Sequence, residues 1–235
     1  MRAFIAFDLD GVLYSSEPFL GAAYREAIAN VNTRRPGSFP RVPTTREILA
    51  HVGWPVPVIL ARLFSDIDPA AVELLSTEML AVIGAHVTRR EGSVFPGVPE
   101  TLEHLRRADF LLAVTSNGRR AYVEAVLAAT DMARYFVDRI TVDGSGAVTE
   151  KSDVLRAYLA RHRLTPSQLV MVGDRASDVE AATAVGCRFI GCDYCHGHRD
   201  EIAGAGPMVS RFDELPAVIA ALPAAPPLPN AIPAG

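Results

Sequence analysis

Apolar residues follow two rhythms along this chain, and the points where the rhythm changes divide it into parts. Phe4-Ile5-Ala6-Phe7 is a short unbroken apolar run leading into Asp8-Leu9-Asp10-Gly11, the pattern of a buried strand that ends in paired carboxylates. Side chains two apart on a strand share a face, so Asp8 and Asp10 can serve one reacting centre, and Gly11 lets the chain turn away with no Cβ in its path. From Ser15-Ser16 the spacing turns helical. Phe19, Ala22, Ala23, Ala27 and Ile28 predict a helix over roughly 17–31, and Thr44 with Glu47 three residues later predicts a short helix ending near His51. Pro55 and Pro57 interrupt before a helix from Val58 to Phe64, and Asp68-Pro69 opens one that runs to about Thr88 on Val72, Leu75, Met79, Val82 and Ile83. No strand pattern falls between 15 and 90, so this stretch reads as a separate helical bundle.

From Phe95 the rhythm alternates. Helices Pro99–Arg107, Arg120–Ala129, Ser152–His162 and Asp178–Val185 are interleaved with strands Phe110–Thr115, Phe136–Thr141, Leu169–Val172 and Phe189-Ile190. Strands separated by helices imply an α/β fold, a doubly wound parallel sheet that binds ligands at the carboxyl ends of its strands. The Pro/Ala-rich stretch 222–235 reads as a disordered tail.

Composition narrows the partners. With 49% hydrophobic and 21% charged residues the chain can fill a core, and a net charge of −4 provides no basic field for nucleic acid or an anionic membrane. Small-molecule chemistry is favoured. Residues 1–13 lack the pattern of a signal peptide, and no apolar run is read as approaching the roughly 20 residues that span a bilayer. Cys187, Cys192 and Cys195 are odd in number and clustered late, which argues for a reducing compartment, the cytoplasm. Oligomeric state is not readable. The basic residues are 22 arginines and a single lysine, Lys151. Where arginine has served everywhere else, the surviving lysine is expected at a place that needs a compact ammonium.

Four clusters carry candidate chemistry. An Asp-x-Asp pair can simply close a strand and open a turn, but two buried unpaired anions call for a cation between them, and Mg²⁺ is the candidate. Thr115-Ser116-Asn117-Gly118 ends a strand with a hydroxyl and free N–H groups that can cradle phosphate, although these are also ordinary turn residues. Lys151 begins a helix, where a lysine is commonly just solvated. The run Leu169 to Gly173 delivers Asp174 from a buried strand, and Asp178 can approach the same ion from the start of the next helix. Cys192, Cys195, His196 and His198 suit Zn²⁺ by type, but they lie on one loop with no complementary pair elsewhere, and the histidines can instead rim the site.

Phe7-Asp-Leu-Asp-Gly-Val-Leu13 closely resembles motif I of the haloacid dehalogenase-like (HAD) hydrolases, and Gly173-Asp174 with Asp178 resembles motif IV, GDxxxD. Thr115 takes the place of motif II and Lys151 that of motif III, so four motifs stand in family order across residues 7–178. The resemblance implies a Rossmann-like core over 1–14 and 91–221 with an inserted helical cap over 15–90. That cap is similar to the C1 cap of the phosphoglycolate phosphatase-like branch, with Phe95-Pro96-Gly97-Val98 as the return to the core. It further implies Asp8 as nucleophile and Asp10 as general acid/base, its pKa raised by like charges nearby. Thr115 and Lys151 would be catalytic, Ser116, Asn117 and Lys151 would bind phosphate, and Asp8, Asp10 (through its backbone carbonyl), Asp174 and Asp178 would hold Mg²⁺.

The activity so implied is Mg²⁺-dependent hydrolysis of a small phosphorylated metabolite, of the phosphoglycolate or sugar phosphate type, through an aspartyl-phosphate. Haloacid dehalogenases of this family lack the second acid that Asp10 supplies. Its hexose-phosphate mutases carry a Thr and a His where Ser16 and Leu20 stand here, and its phosphonatases use a cap lysine that this chain lacks. A mutase, a dehalogenase, or a phosphate-binding protein without turnover are the competing readings. Tyr14-Ser15 departs from the acid-then-Ser of many members, and Trp54, in the loop His51 to Pro55, is expected to face the core where such caps choose substrate.

Overall fold

In the computed structural model, which describes residues 3–142, 148–195 and 199–223, β1 (Phe4–Phe7) is wholly buried. Then follow β2 (Tyr14–Ser15), α1 (Glu17–Arg34), α2 (Thr45–Leu49), α3 (Val56–Leu63), α4 (Pro69–Thr88) and β3 (Ser93–Val94). The alternating part comprises α5 (Val98–Arg107), β4 (Leu111–Ser116), α6 (Arg120–Ala129), β5 (Asp138–Thr141), α7 (Lys151–His162), β6 (Leu169–Gly173), α8 (Ala176–Val185) and β7 (Arg188–Cys192). Three short elements close it: α9 (Arg199–Ile202), β8 (Met208–Val209) and α10 (Leu215–Ala221). The last three were not expected, because two to seven residues carry too little periodicity. Most of the expected tail, 224–235, lies outside the described residues, as does the polar segment 143–147.

The sheet is parallel with strand order β5-β4-β1-β6-β7-β8. Its centre is β1, where Phe7 stands level with Val114 of β4 and Val172 of β6. Asp8, Thr115 and Gly173 are therefore the next residues along three adjacent strands, at the carboxyl edge where such sheets bind ligands. Alternation along β1 feeds two layers. Ile5 and Phe7 pack into the cluster holding Leu102, Val123 and Leu215, whereas Phe4 and Ala6 pack with Leu155, Met171 and Ala181. A strand buried on both faces has to read as an unbroken apolar run, which is how it stands in the sequence.

The helical stretch expected between the first and second strands is present, framed by a pairing that was not expected. Tyr14 pairs with Val94 and Ser15 with Ser93, antiparallel, so the outgoing and returning connections clasp each other. Two-residue strands leave no pattern to read. The Thr44–Glu47 capping box and the Asp68 N-cap form as expected. Helix α3 begins at Val56, two residues earlier than expected, because Pro57 sits in the first turn, where its missing N–H has no partner to lose.

One sequence expectation is corrected by α4. It is 20 residues long, and an 18-residue stretch of it has a mean hydropathy of 1.4, enough to cross a bilayer by length and composition alone. The helix packs along α1, α3 and α6, and Met79, Leu80 and Ile83 also line an internal cavity, so more than one of its faces is apolar.

A buried hydroxyl ties the strands of the site to the helix layer. Tyr158 of α7 donates to the carbonyl of Val114 and accepts from the N–H of Ile140 at 3.0 Å. Tyr158→Phe strands both main-chain groups and should cost about 1–3 kcal/mol. The check is a lower urea midpoint at unchanged slope.

Candidate active site

Three acids converge beyond the central strands. One ligand oxygen from each of Asp8, Asp174 and Asp178 lies within 4.8 Å of the others, and all three side chains are buried. Lys151 Nζ stands among them, 2.8 Å from Asp8 Oδ2 and 2.5 Å from Asp178 Oδ1. The lysine is placed by the start of α7, where Glu150 and Asp153 form a capping box that fixes the first turn. Asp178 is held from its other oxygen, which accepts the N–H groups of Asp174 and Arg175, each at 3.1 Å. Gly173 makes this possible, since a Cβ there would overlap the Asp178 carboxylate. Gly11, at φ +91°, does the same for Asp174, whose carboxylate lies where a Cβ would go.

Burial sets the electrostatics. Asp174 is held well above the ordinary carboxylate range by burial first, then by the charges of Asp8 and Asp178. Burial likewise raises Asp8, against the pull of Lys151. Burial works to lower Lys151, yet Asp178 and Asp8 together hold it above the usual lysine value, so it stays an ammonium. Asp10 is pushed up to about 6, the direction expected from sequence but for a different reason. Burial is the cause, and the hydrogen bond from Tyr122, 2.5 Å to Asp10 Oδ1, with the charge of Lys151, opposes it. Like-charge crowding is not what raises it, because its side chain turns away from the three-acid group toward Tyr122.

The donor set suits a small hard cation. Asp174 Oδ1 is buried with no hydrogen-bond partner, and three carboxylates face one ammonium. Oxygen donors with surplus negative charge are what Mg²⁺ prefers. The Asp10 carboxylate stands outside the group.

The residues after β4 have distinct situations. Thr115 Oγ1 is fully buried and unpartnered, Ser116 Oγ accepts from Gly118 N at 2.9 Å, and Asn117 Nδ2 donates to the Gly53 carbonyl at 2.7 Å. Asn117 thus spans from the sheet to the helical insert. Two further contacts do the same: Arg175 Nη2 donates to Ala50 O at 3.2 Å, and Arg119 binds both the carbonyl and the hydroxyl of Ser76. Between the clasps lies a cavity of about 110 Å³ lined by Asp8, Asp10, Ser116 and Asn117 on the sheet side and by Trp54 and its neighbours on the insert side. Trp54 faces the site as expected, with the guanidinium of Arg62 stacked over its ring at 4.4 Å.

In the Cys192 loop, Cys192 is buried and Tyr194 donates its hydroxyl to Val12 O at 2.8 Å, while His196 and His198 lie outside the described residues.

A profile for haloacid dehalogenase-like hydrolases matches residues 3–186. The phosphoglycolate phosphatase of Vibrio vulnificus is 32% identical over 209 residues, 86% of this chain and 89% of that one. Its Vibrio cholerae counterpart is 32% identical over 215 residues, again 86% and 89%. Among solved structures, a predicted phosphoglycolate phosphatase from Haemophilus somnus superposes with a TM-score of 0.81 at 21% identity, over 93% of this chain and 98% of that one. CbbY from Rhodobacter sphaeroides, in complex with phosphate, gives 0.74 at 22%, over 92% and 96%. At those identities the two structures speak for the fold. The chain belongs to the haloacid dehalogenase-like hydrolase family. Within it the chain is an enzyme of the phosphatase kind, similar to the phosphoglycolate phosphatases.

Sequence reasoning missed Tyr122, Arg119 and Arg175. Tyr122 is 112 positions from its partner Asp10, and nothing local in α6 marks it. Removing its hydroxyl deletes a hydrogen bond to a carboxylate, an interaction worth about 1.5–3 kcal/mol. Tyr122→Phe should therefore lower kcat by roughly tenfold or more with little change in KM, measured by steady-state phosphate release.

Proposed function

We propose that this chain is an Mg²⁺-dependent phosphatase that hydrolyses a small phosphorylated metabolite through an aspartyl-phosphate on Asp8. The observation that carries this reading is the group Asp8, Asp174 and Asp178 gathered round Lys151, with Asp8 reaching the cavity. Asp8, Asp174 and the Asp10 carbonyl would hold Mg²⁺, with Asp178 holding Lys151 and the Asp174 turn in place. The bound ion would neutralise charge as two anions meet.

In the first step an Asp8 carboxylate oxygen attacks phosphorus, the bond from phosphorus to the ester oxygen breaks, and Asp10 gives its proton to the leaving oxygen. In the second, Asp10 takes a proton from water, whose oxygen attacks phosphorus while the bond to Asp8 breaks, regenerating the carboxylate and releasing phosphate. The upward shift of the Asp10 pKa, to about 6, makes it easier for Asp10 to carry a proton into the first step than for an ordinary carboxylate. Lys151, Ser116 and the N–H groups near Thr115 and Asn117 would hold the remaining phosphoryl oxygens. The helical insert would act as the cap that excludes water. We place the enzyme in the cytoplasm, a reading supported by the odd number and late clustering of its three cysteines.

Wild-type protein should release phosphate from a generic aryl phosphate only with Mg²⁺, and Asp8→Asn should fall to background. Full activity in excess EDTA would overturn this reading. Lys151→Arg should lose about 10²-fold or more in kcat although charge is kept, because a planar guanidinium cannot occupy the place of a compact ammonium between two carboxylates. Near-wild-type turnover by that variant would remove Lys151 from the mechanism.

A further inference from the structure

The cavity between sheet and insert has two chemically different ends. Its sheet end is polar and acidic, as described above. Its far wall is built from Val52, Trp54, Val56, Ile59, Leu80 and Ile83, side chains that are only half-buried in the protein and border the open space. Among the described lining residues the one cation is Arg119, and its two Nη groups are already bound to Ser76. The polar side-chain groups the insert contributes to the lining are the hydroxyls of Ser16, Tyr24 and Ser76 and the indole N–H of Trp54, against a larger number of apolar side chains.

A carboxylate on the ester body would enter this wall by losing water, with Arg119 already bound to Ser76 and Arg62 stacked on the Trp54 ring. A polyhydroxylated body would bring more hydroxyls than the wall has partners for. An apolar body gains instead, by about fourfold in binding for each methylene taken out of water. Size sets an upper bound: an apolar cavity of about 150 Å³ takes up benzene, and this one, at about 110 Å³, is somewhat smaller, so a body larger than one ring is excluded. We propose that the preferred substrate is a phosphate monoester of an apolar alcohol, its carbon body a single ring or a short branched chain seated against Trp54, Ile59, Leu80 and Ile83. This rests on the phosphatase reading and narrows its substrate class.

The test compares kcat/KM for ethyl, isoamyl and benzyl phosphate with phosphoglycolate and glycerol phosphate, at saturating Mg²⁺. All five are esters of aliphatic alcohols, so the acidity of the leaving group changes little across the series. The expected result is a rise of about fourfold per added methylene from ethyl to isoamyl phosphate, with isoamyl and benzyl phosphate at least about tenfold above phosphoglycolate and glycerol phosphate. Leu80→Asn should shrink the isoamyl-to-ethyl ratio. Independently of turnover, emission of Trp54, the only tryptophan, should report tighter binding of benzylphosphonate than of phosphonoacetate. Turnover in which phosphoglycolate or glycerol phosphate matches or exceeds benzyl phosphate would overturn this inference and leave the phosphatase reading standing. Absence of turnover of every ester, with benzylphosphonate still the tighter ligand, would overturn the phosphatase reading and support the apolar site.

Discussion

One ammonium bridges two of three buried carboxylates, and the geometry of the candidate site depends on it. Lys151 Nζ touches Asp8 and Asp178, and Asp174 completes the group. Breaking a buried charge pair by removing one partner costs about 3–5 kcal/mol, because the survivor keeps its desolvation penalty. Here the lysine answers to two partners at once. Three carboxylates against one ammonium leave a surplus of negative charge that a divalent cation would cancel, which makes the group receptive to Mg²⁺. The sheet supplies the rest: β1 lies between β4 and β6, so acids and hydroxyl emerge side by side from a rigid edge.

The insert is fastened to that edge differently. Asn117 binds the carbonyl of Gly53, Arg175 that of Ala50, and Arg119 that of Ser76. All three use main-chain acceptors on the insert, and main-chain acceptors do not depend on which side chain they carry. Gly53 is exceptional, for at φ +99° a Cβ would come within 2.8 Å of the Arg175 side chain. Side chains between the clasps can thus change without losing these main-chain hydrogen bonds. The phosphate end of the cavity and its far wall are therefore under separate physical constraints.

That separation explains what could be read from the sequence. Charge chemistry demands particular residue types at particular strand ends, so Asp8, Asp10, Lys151, Asp174 and Asp178 stood out by type, spacing and, for the lysine, rarity. The buried strands announced themselves as unbroken apolar runs, and the Thr44 and Asp68 caps marked helix starts. What stayed hidden was set by three-dimensional approach. The β2–β3 clasp is two residues long, Tyr122 reaches Asp10 across 112 positions, and the rise in the Asp10 pKa comes from desolvation, which no spacing encodes.

The far wall of the cavity was hidden for another reason. An apolar side chain that faces a substrate space and one that faces the core obey the same helical period, so position alone does not separate them. Amount does. A surface helix needs one apolar stripe to bury against its neighbours, yet α4 is apolar enough over 20 residues to pass for a membrane span. Part of that excess is explained by packing against α1, α3 and α6. The rest borders the cavity at Leu80 and Ile83, both half-buried, with Ile83 also resting partly on the core. Apolar surface kept next to a reaction site costs free energy unless something apolar covers it during the working cycle. The body of the substrate is the covering that the geometry of this cavity offers.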